Sequence, residues 1–358
     1  MKYLFIVNAC HGSGGLEKVL AFKCNALIKG GHEVTILNLV KAPCFFEYHP
    51  QINIISPKPN GHKLLLLMSY FKLAKQTIVN SDFDVISVCD DGLKALLWPF
   101  LFRKRQFKLI YERHAERQFG LPKFMQNKQW FNALQNKCLN AYDAMVCLSQ
   151  SNAAQWQYPN ITIIPNPAIV DQVELKADVK NNRVILAVGS HSIAKGYDTM
   201  LQIWANTAPN FPDWQLHIVG NYTNNEQFLK MAEALNIANR VVFMPPTLQL
   251  SAYYASAALL WHPARQEAFG MVIIEAMQHG LPCLTYNDLP GPSDIIQHAC
   301  NGYLVGRNAN DMQKALSELL TNQTLRFDLS LNALETAKSF QANTVWSLWQ
   351  SFYYPLKQ

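Results

Sequence analysis

Two glutamates, Glu267 and Glu275, stand with seven residues between them in His262–Leu284, HPARQEAFGMVIIEAMQHGLPCL. Ala268-Phe269-Gly270 reads as a turn, and the apolar run from Met271 onward reads as a helix. Glu267 then falls in the loop before the helix, and Glu275 about a turn and a half inside it. A helix start leaves backbone N–H groups unpaired at the positive end of the dipole. Such a start can hold a phosphate or a sugar hydroxyl, and Gly270 removes side-chain bulk there. Acidic residues also gather at helix starts for the dipole alone, so this pair needs support from elsewhere in the chain.

Lys195 gives that support. It lies in Lys195-Gly196-Tyr197-Asp198, after the apolar run Val184–Val188 and at a helix start. A cation is disfavoured there by the dipole, and the misfit points to a ligand. Near the other end of the chain, His11-Gly12-Ser13-Gly14-Gly15-Leu16-Glu17 follows a first apolar run, Tyr3–Asn8. A dinucleotide fingerprint counted from Gly12 would place its third glycine at position 17, where this chain has Glu17. The loop therefore approaches a ligand closely without matching a nicotinamide or flavin enzyme.

The order E-A-F-G-x-x-x-x-E-A-M-x-x-G-x-P resembles the signature of retaining glycosyltransferases of family four, which have the GT-B architecture. The resemblance covers almost the whole chain and is strongest from 184 to 306. It implies that Glu267 faces the donor sugar and that Glu275 holds the nucleotide ribose. It also implies that Lys195 offsets charge on the diphosphate leaving group, and that Ala268, Phe269, Gly270 and Met271 present backbone N–H groups to the donor. Gly14 and Gly15 resemble the family's G-G-x-E loop at the donor phosphates and the acceptor. His114, after Glu112-Arg113, resembles the family's histidine at the reacting centre of the sugar. Pro246, Thr247 and Leu248 lie where the family contacts the base, and Pro165-Asn166-Pro167 resembles the turn that closes the N-terminal domain. The family usually has an arginine five residues before the lysine; here that position is Ser190.

The elements that must carry these residues are legible as two series. In the first, apolar runs at Tyr3–Asn8, Glu33–Leu39, Phe83–Cys89, Lys108–Tyr111, Ala144–Ser149 and Ile161–Ile164 alternate with helical stretches. A polar stretch through Asn182 follows, and a second series opens at Val184–Val188. It continues with Gln215–Val219, Val241–Met244, Ala257–Trp261 and Leu281–Thr285. Strands alternating with helices predict parallel sheets covered on both faces. The reading is α/β: two Rossmann-like domains facing each other across a cleft, 1–167 on the acceptor side and 168–339 on the donor side. A terminal helix at about 340–358 carries a Trp346/Trp349/Phe352 stripe that is available to pack back on the first domain.

Composition limits the alternatives. With 358 residues the chain is long enough for two cores, and 49% hydrophobic residues mark a folded protein. The longest apolar runs, Leu64–Met68 and Leu96–Phe102, are far short of the roughly 20 residues of a membrane span. Eight cysteines without a CxxC pair fit reduced thiols in a cytoplasmic protein. The N-terminus reads as a first strand rather than a signal peptide. Residues 1–167 hold 19 Lys and Arg against 10 Asp and Glu, a net of +9, while the remainder nets −3. The sharpest basic cluster, Arg103-Lys104-Arg105 with Lys108, points to an anionic membrane surface or an acidic acceptor. Asp90-Asp91 is adjacent acid but no Asp-x-Asp, so no metal or other cofactor is expected.

The resulting expectation is a retaining transferase moving a hexose or N-acetylhexosamine from a nucleotide-sugar to a glycan or lipid-linked glycan, in bacterial surface polysaccharide synthesis. UDP is the expected nucleotide, the enzyme is cytoplasmic or peripheral on the inner membrane face, and no nucleic acid is involved. A glycosidase also pairs carboxylates but needs no phosphate cradle. A GT-B-shaped nucleotide-sugar epimerase and a non-catalytic nucleotide-sugar-binding protein are the competing readings.

Overall fold

The computed structural model describes residues 1–58, 61–89, 92–102, 105–118, 121–170, 182–220 and 225–357. They form two compact units: Met1–Asn166 with Val345–Gln358, and Pro167–Thr344.

In the first unit the elements run β1 (Lys2–Val7), α1 (Gly15–Lys29), β2 (Glu33–Asn38), β3 (Asn53–Ile55), α2 (Lys63–Val79), β4 (Val85–Val88), α3 (Trp98–Leu101), β5 (Lys108–Arg113), α4 (Gln129–Leu139), β6 (Ala144–Cys147), α5 (Gln150–Ala153) and β7 (Ile161–Ile163). All seven strands pair in parallel in the order β3-β2-β1-β4-β5-β6-β7. Because strand side chains alternate between faces, β1 feeds two cores. Tyr3, Phe5 and Val7 pack with Leu20, Cys24 and Leu27 of α1, whereas Leu4 and Ile6 pack with Tyr70 of α2 and with Trp98. β3 is a three-residue edge strand, Asn53-Ile54-Ile55, with two exposed residues, too short a run for the sequence to announce it.

In the second unit the order is β8 (Val184–Val188), α6 (Tyr197–Thr207), β9 (Gln215–Val219), α7 (Asn225–Ala234), β10 (Val241–Met244), α8 (Leu250–Ser256), β11 (Leu259–His262), α9 (Met271–Gln278), β12 (Cys283–Tyr286), α10 (Pro290–Ile295), β13 (Gly302–Val305), α11 (Ala309–Thr321) and α12 (Gln323–Ala337). Its six parallel strands lie in the order β10-β9-β8-β11-β12-β13. β11 starts two residues later than its apolar run predicts and takes in His262. The last helix, α13, spans Ala342–Tyr353. Its buried face is Val345, Trp349 and Tyr353 in the core of the first unit, with Trp346 and Phe352 at the margin. The burial therefore follows an i, i+4, i+8 row rather than the three-aromatic stripe read from the sequence.

Each sheet has one point where the strand order reverses direction, between β1 and β4 in the first unit and between β8 and β11 in the second. Open α/β sheets bind ligands beyond the carboxyl ends of the strands at such points.

Candidate functional site

In the second unit two loops leave the sheet at its switch point. One follows β8 and carries Ser190 and Lys195 into α6; the other follows β11 and carries Arg265 and Glu267 to Gly270, the N-cap of α9. Arg265 ties them together. Its backbone N–H donates to Ala194 O at 2.7 Å, and its guanidinium forks onto the two Asp198 oxygens at 2.8 and 2.7 Å. The fork lowers the Asp198 carboxyl and raises Arg265. Gly196 makes this join possible: at φ +71°, any Cβ would lie 2.1 Å from Pro263 O, a contact no side chain tolerates.

Held in this way, Lys195 Nζ donates to Glu267 Oε2 at 2.7 Å, with side chains 23% and 17% exposed. His262 Nε2 stands 3.3 Å from the same oxygen, on a ring only 3% exposed. Burial alone would raise the Glu267 carboxyl, but the Lys195 charge and the His262 contact outweigh it. They hold Glu267 well below the usual carboxylate range. Burial lowers His262, so its imidazole is neutral near pH 7. The outcome is a fixed carboxylate and a fixed ammonium at the edge of solvent, an arrangement able to hold a sugar hydroxyl and an anionic oxygen side by side.

Gly270 begins α9 at φ +96°, a backbone geometry that favours glycine. Ala268 and Phe269 are buried, and the Phe269 ring lies 6.0 Å from that of Phe340. What the segment 268–271 offers a ligand is therefore backbone; Met271 is half-buried. Glu275, just over one turn into α9, is buried and its Oε2 accepts from the Tyr254 hydroxyl at 3.0 Å. Burial first, then the Glu275 charge, push Tyr254 far up, so its hydroxyl stays a donor. One turn further on, His279 Nδ1 lies 2.9 Å from Glu275 O and the ring packs 5.2 Å from that of Tyr254. Ser190 is exposed, with its hydroxyl 3.3 Å from that of Ser192. Pro246, Thr247 and Leu248 lie on the loop after β10, where Pro246 and Leu248 are exposed and Thr247 Oγ1 accepts from Gln249 N at 3.0 Å.

In the first unit Gly14 caps α1 and Gly15 opens it, both exposed. Glu17 folds its carboxylate back over this loop, so that a Cβ on Gly14 would lie 2.7 Å from Glu17 Oε2. His114, just past β5, places Nε2 3.2 Å from Glu112 Oε2. Glu112 also accepts from Lys23 of α1 and from Ser87 of β4. Lys23 and Glu112 are each 1% exposed, and Lys23 Nζ sits 4.0 Å from the centre of the Trp349 ring. Burial would raise Glu112, yet the Lys23 charge and the His114 hydrogen bond bring its carboxyl down to about 2.

Sequence reasoning singled out Lys195, Glu267, Glu275 and His114 but missed Lys23, Ser87, Tyr254, His262 and His279, and treated Glu112 only as a flank. Lys23 did leave a signal. It follows Leu20 by three residues and precedes Leu27 by four, which puts a lysine on the apolar row of α1. Glu112 sits in a strand buried on both faces, where a charge needs a partner. Among the described residues, Cys89, Glu112 and His114 bring metal-ligand atoms within 4.8 Å of one another. Both Glu112 oxygens already accept from Lys23, and burial drives the Cys89 thiol far up. The cluster is a hydrogen-bonded network in which Glu112 carries the Lys23 ammonium, the Ser87 hydroxyl and His114.

Asp90-Asp91 and the Arg103-Lys104 half of the basic cluster lie outside the described residues. Arg105 is partly committed to the fold, at 2.8 Å from Ala141 O and 3.1 Å from Asp143. No helix among the described residues is long and apolar enough to cross a membrane.

The sequence and the fold match known proteins. A family model described as "Glycosyltransferase Family 4" matches residues 13–172, and one described as "Glycosyl transferases group 1" matches residues 172–336. The chain belongs to the family-four glycosyltransferases of GT-B architecture. It is similar to an uncharacterized glycosyltransferase of Haemophilus influenzae, 29% identical over 92% of this chain and 93% of the relative. Anabaena HepE, solved in complex with UDP and glucose, has a TM-score of 0.81 at 17% identity, covering 99% of this chain and 100% of that one. WaaG, a glycosyltransferase involved in lipopolysaccharide biosynthesis, has a TM-score of 0.75 at 19% identity, covering 96% and 98%. The two structures share the fold of this chain.

Proposed function

We propose that this glycosyltransferase works with retention of configuration, moving a hexose or N-acetylhexosamine from a UDP-sugar to a glycan or lipid-linked glycan acceptor in bacterial surface polysaccharide synthesis. The observation that carries the reading is the Lys195–Glu267 pair, 2.7 Å apart on the two loops that leave the switch point of the second sheet. Glu267 accepts from donor sugar hydroxyls, and Lys195 turns toward the diphosphate as negative charge develops on the leaving group. Glu275 takes the ribose, Gly270 and its neighbours give backbone N–H groups, and the loop Pro246–Leu248 meets the base. Gly14 and Gly15 approach the donor phosphates, and His114 contributes to the sugar. Ser190 gives a hydroxyl where a second cation is usual, so backbone N–H groups carry more of the diphosphate charge. No metal takes part. The UDP in the HepE complex and the lipopolysaccharide role of WaaG favour these substrate classes.

The acceptor's lipid tail would keep the enzyme on the cytoplasmic face of a membrane. Exposed Leu97, Phe100 and Leu101 supply apolar surface next in sequence to the basic cluster, of which Lys108 is exposed. Each cation near an anionic leaflet contributes about 1 kcal/mol, so sedimentation with anionic vesicles falls steeply with salt. Wild type that stays in the supernatant at low salt removes the membrane from the proposal.

The deciding experiment is a nucleotide-sugar panel, read by nucleotide release with and without lipid-linked acceptor and by NMR of the anomeric proton in the product. Acceptor-dependent release from a UDP-sugar with the donor's configuration kept is the expected result. Inverted product refutes retention. Sugar isomerised without transfer makes the protein an epimerase, and binding without turnover makes it a binding protein.

A further inference from the structure

We propose that Glu112 and Lys23 are positioning residues for His114: they fix its imidazole with the proton on Nε2, so that Nδ1 is left as the acceptor for a hydroxyl of the sugar substrate. The assignment of the hydroxyl rests on the reading above, in which His114 meets the sugar; the fixing of the ring does not.

The deduction starts from what Glu112 can do. An ionised carboxylate only accepts hydrogen bonds. Among the described residues its contacts come from Lys23 on both oxygens, Ser87 on Oε1 and His114 on Oε2. Lys23 cannot accept, and its ammonium is enclosed by Glu112 and by the faces of Phe5 and Trp349 at 4.9 and 4.0 Å. With the carboxylate held charged by Lys23, every partner must donate, His114 Nε2 included. A neutral imidazole has one N–H, so Nδ1 then carries the lone pair. That atom is buried and has no hydrogen-bond partner among the described residues. A buried acceptor without a partner is costly unless a ligand supplies the donor. Sugar hydroxyls are donors of the right kind, and a neutral Nδ1 can receive one without adding charge near the breaking bond.

The geometry also explains a buried lysine inside α1 that the transfer chemistry itself does not use. α1 supplies the ammonium, β4 the hydroxyl, β5 the carboxylate and α13 the aromatic cover, so four elements converge on the orientation of one ring.

The tautomer is measured directly by 15N NMR of protein labelled at histidine, with His114 identified by the signal lost in His114→Gln. Nε2–H with bare Nδ1 is the expected form in wild type, and Nδ1–H or a doubly protonated ring at pH 7.5 overturns the proposal even if no variant folds. Glu112→Gln can donate as well as accept, so it should mix the tautomers and lower kcat about tenfold to a hundredfold with little change in donor KM, taking as guide the loss typical when the hydrogen-bonded partner behind a metal-ligating histidine is removed. On the His114→Gln background Glu112→Gln should cost nothing more in kcat, because a residue acting only through the ring has nothing left to position. Losses that multiply, or an unchanged tautomer in Glu112→Gln, refute it. If wild type transfers no sugar at all, the reading of the enzyme fails while the NMR result still decides the ring.

Discussion

Each unit contains one lysine, one glutamate and one histidine in contact, yet the two clusters are built inside out relative to each other. In Lys23–Glu112–His114 the ammonium and carboxylate are 1% exposed and the imidazole 6%. In Lys195–Glu267–His262 the imidazole is innermost at 3%, while ammonium and carboxylate are 23% and 17% exposed. The most exposed of the three groups is therefore the imidazole in one unit and the ion pair in the other. Burial decides which of these groups a ligand could reach and which are enclosed. The cluster contributed by α1 and β5 has its charges sealed under Trp349; the one contributed by the loops after β8 and β11 leaves them on the sheet's carboxyl edge.

The largest effect should come from opening the sealed cluster. Lys23→Met leaves Glu112 charged and buried without its cation, which costs about 3–5 kcal/mol. Thermal unfolding should then show a fall in Tm of roughly 10 °C. Adding Glu112→Gln should recover part of it, and an unchanged Tm in Lys23→Met would break the comparison.

Lys195→Ala makes the opposite exchange. Its ion pair is partly exposed, so stability should fall by less than in Lys23→Met. Transfer, however, should slow by about 10²–10³ in kcat, the loss typical of removing one group that meets developing charge. Donor binding should weaken less than the rate falls. Equal losses in donor Kd and in kcat would show that Lys195 binds without assisting bond breaking.

Glu275→Ala sharpens the contrast with a second buried carboxylate, one that accepts from a tyrosine hydroxyl. Nucleotide affinity by calorimetry should drop by about 1.5–3 kcal/mol, as for loss of a charged hydrogen-bonding group. Unchanged affinity would take Glu275 out of the donor site.

Mild acid should produce the smallest change. Glu112 has its carboxyl lowered from 4.5 to about 2, so its contribution to stability is full above pH 4.5 and is lost as pH falls toward 2. Glu267, lowered as well, acts in the same direction. Denaturant titrations between pH 5 and 3 should show a shallower loss of stability in Glu112→Gln than in wild type. Parallel curves would mean that the Lys23–Glu112 pair is not the acid-sensitive one.

The sequence by itself determined the repeating strand–helix order, the two sheets and the residues at strand ends. These depend on local patterns: apolar runs for strands buried on both faces, glycines where the backbone turns sharply, and Lys195, Glu267 and Glu275 at fixed offsets from helix starts. Tertiary structure alone decided which charges meet. Lys23 and Glu112 are 89 residues apart, and Lys195 and Glu267 are 72 apart. No local rule pairs side chains across such intervals. Nor does a local rule show that Asp198 is held by Arg265, that Tyr254 donates to Glu275, or that Val345, Trp349 and Tyr353 return to the first core. Pairing at long range follows from strand order, because β1 and β4, or β8 and β11, become neighbours only when the sheet closes between them. Exposure follows from what packs above a residue, and for Lys23 the cover is a tryptophan from the far end of the chain.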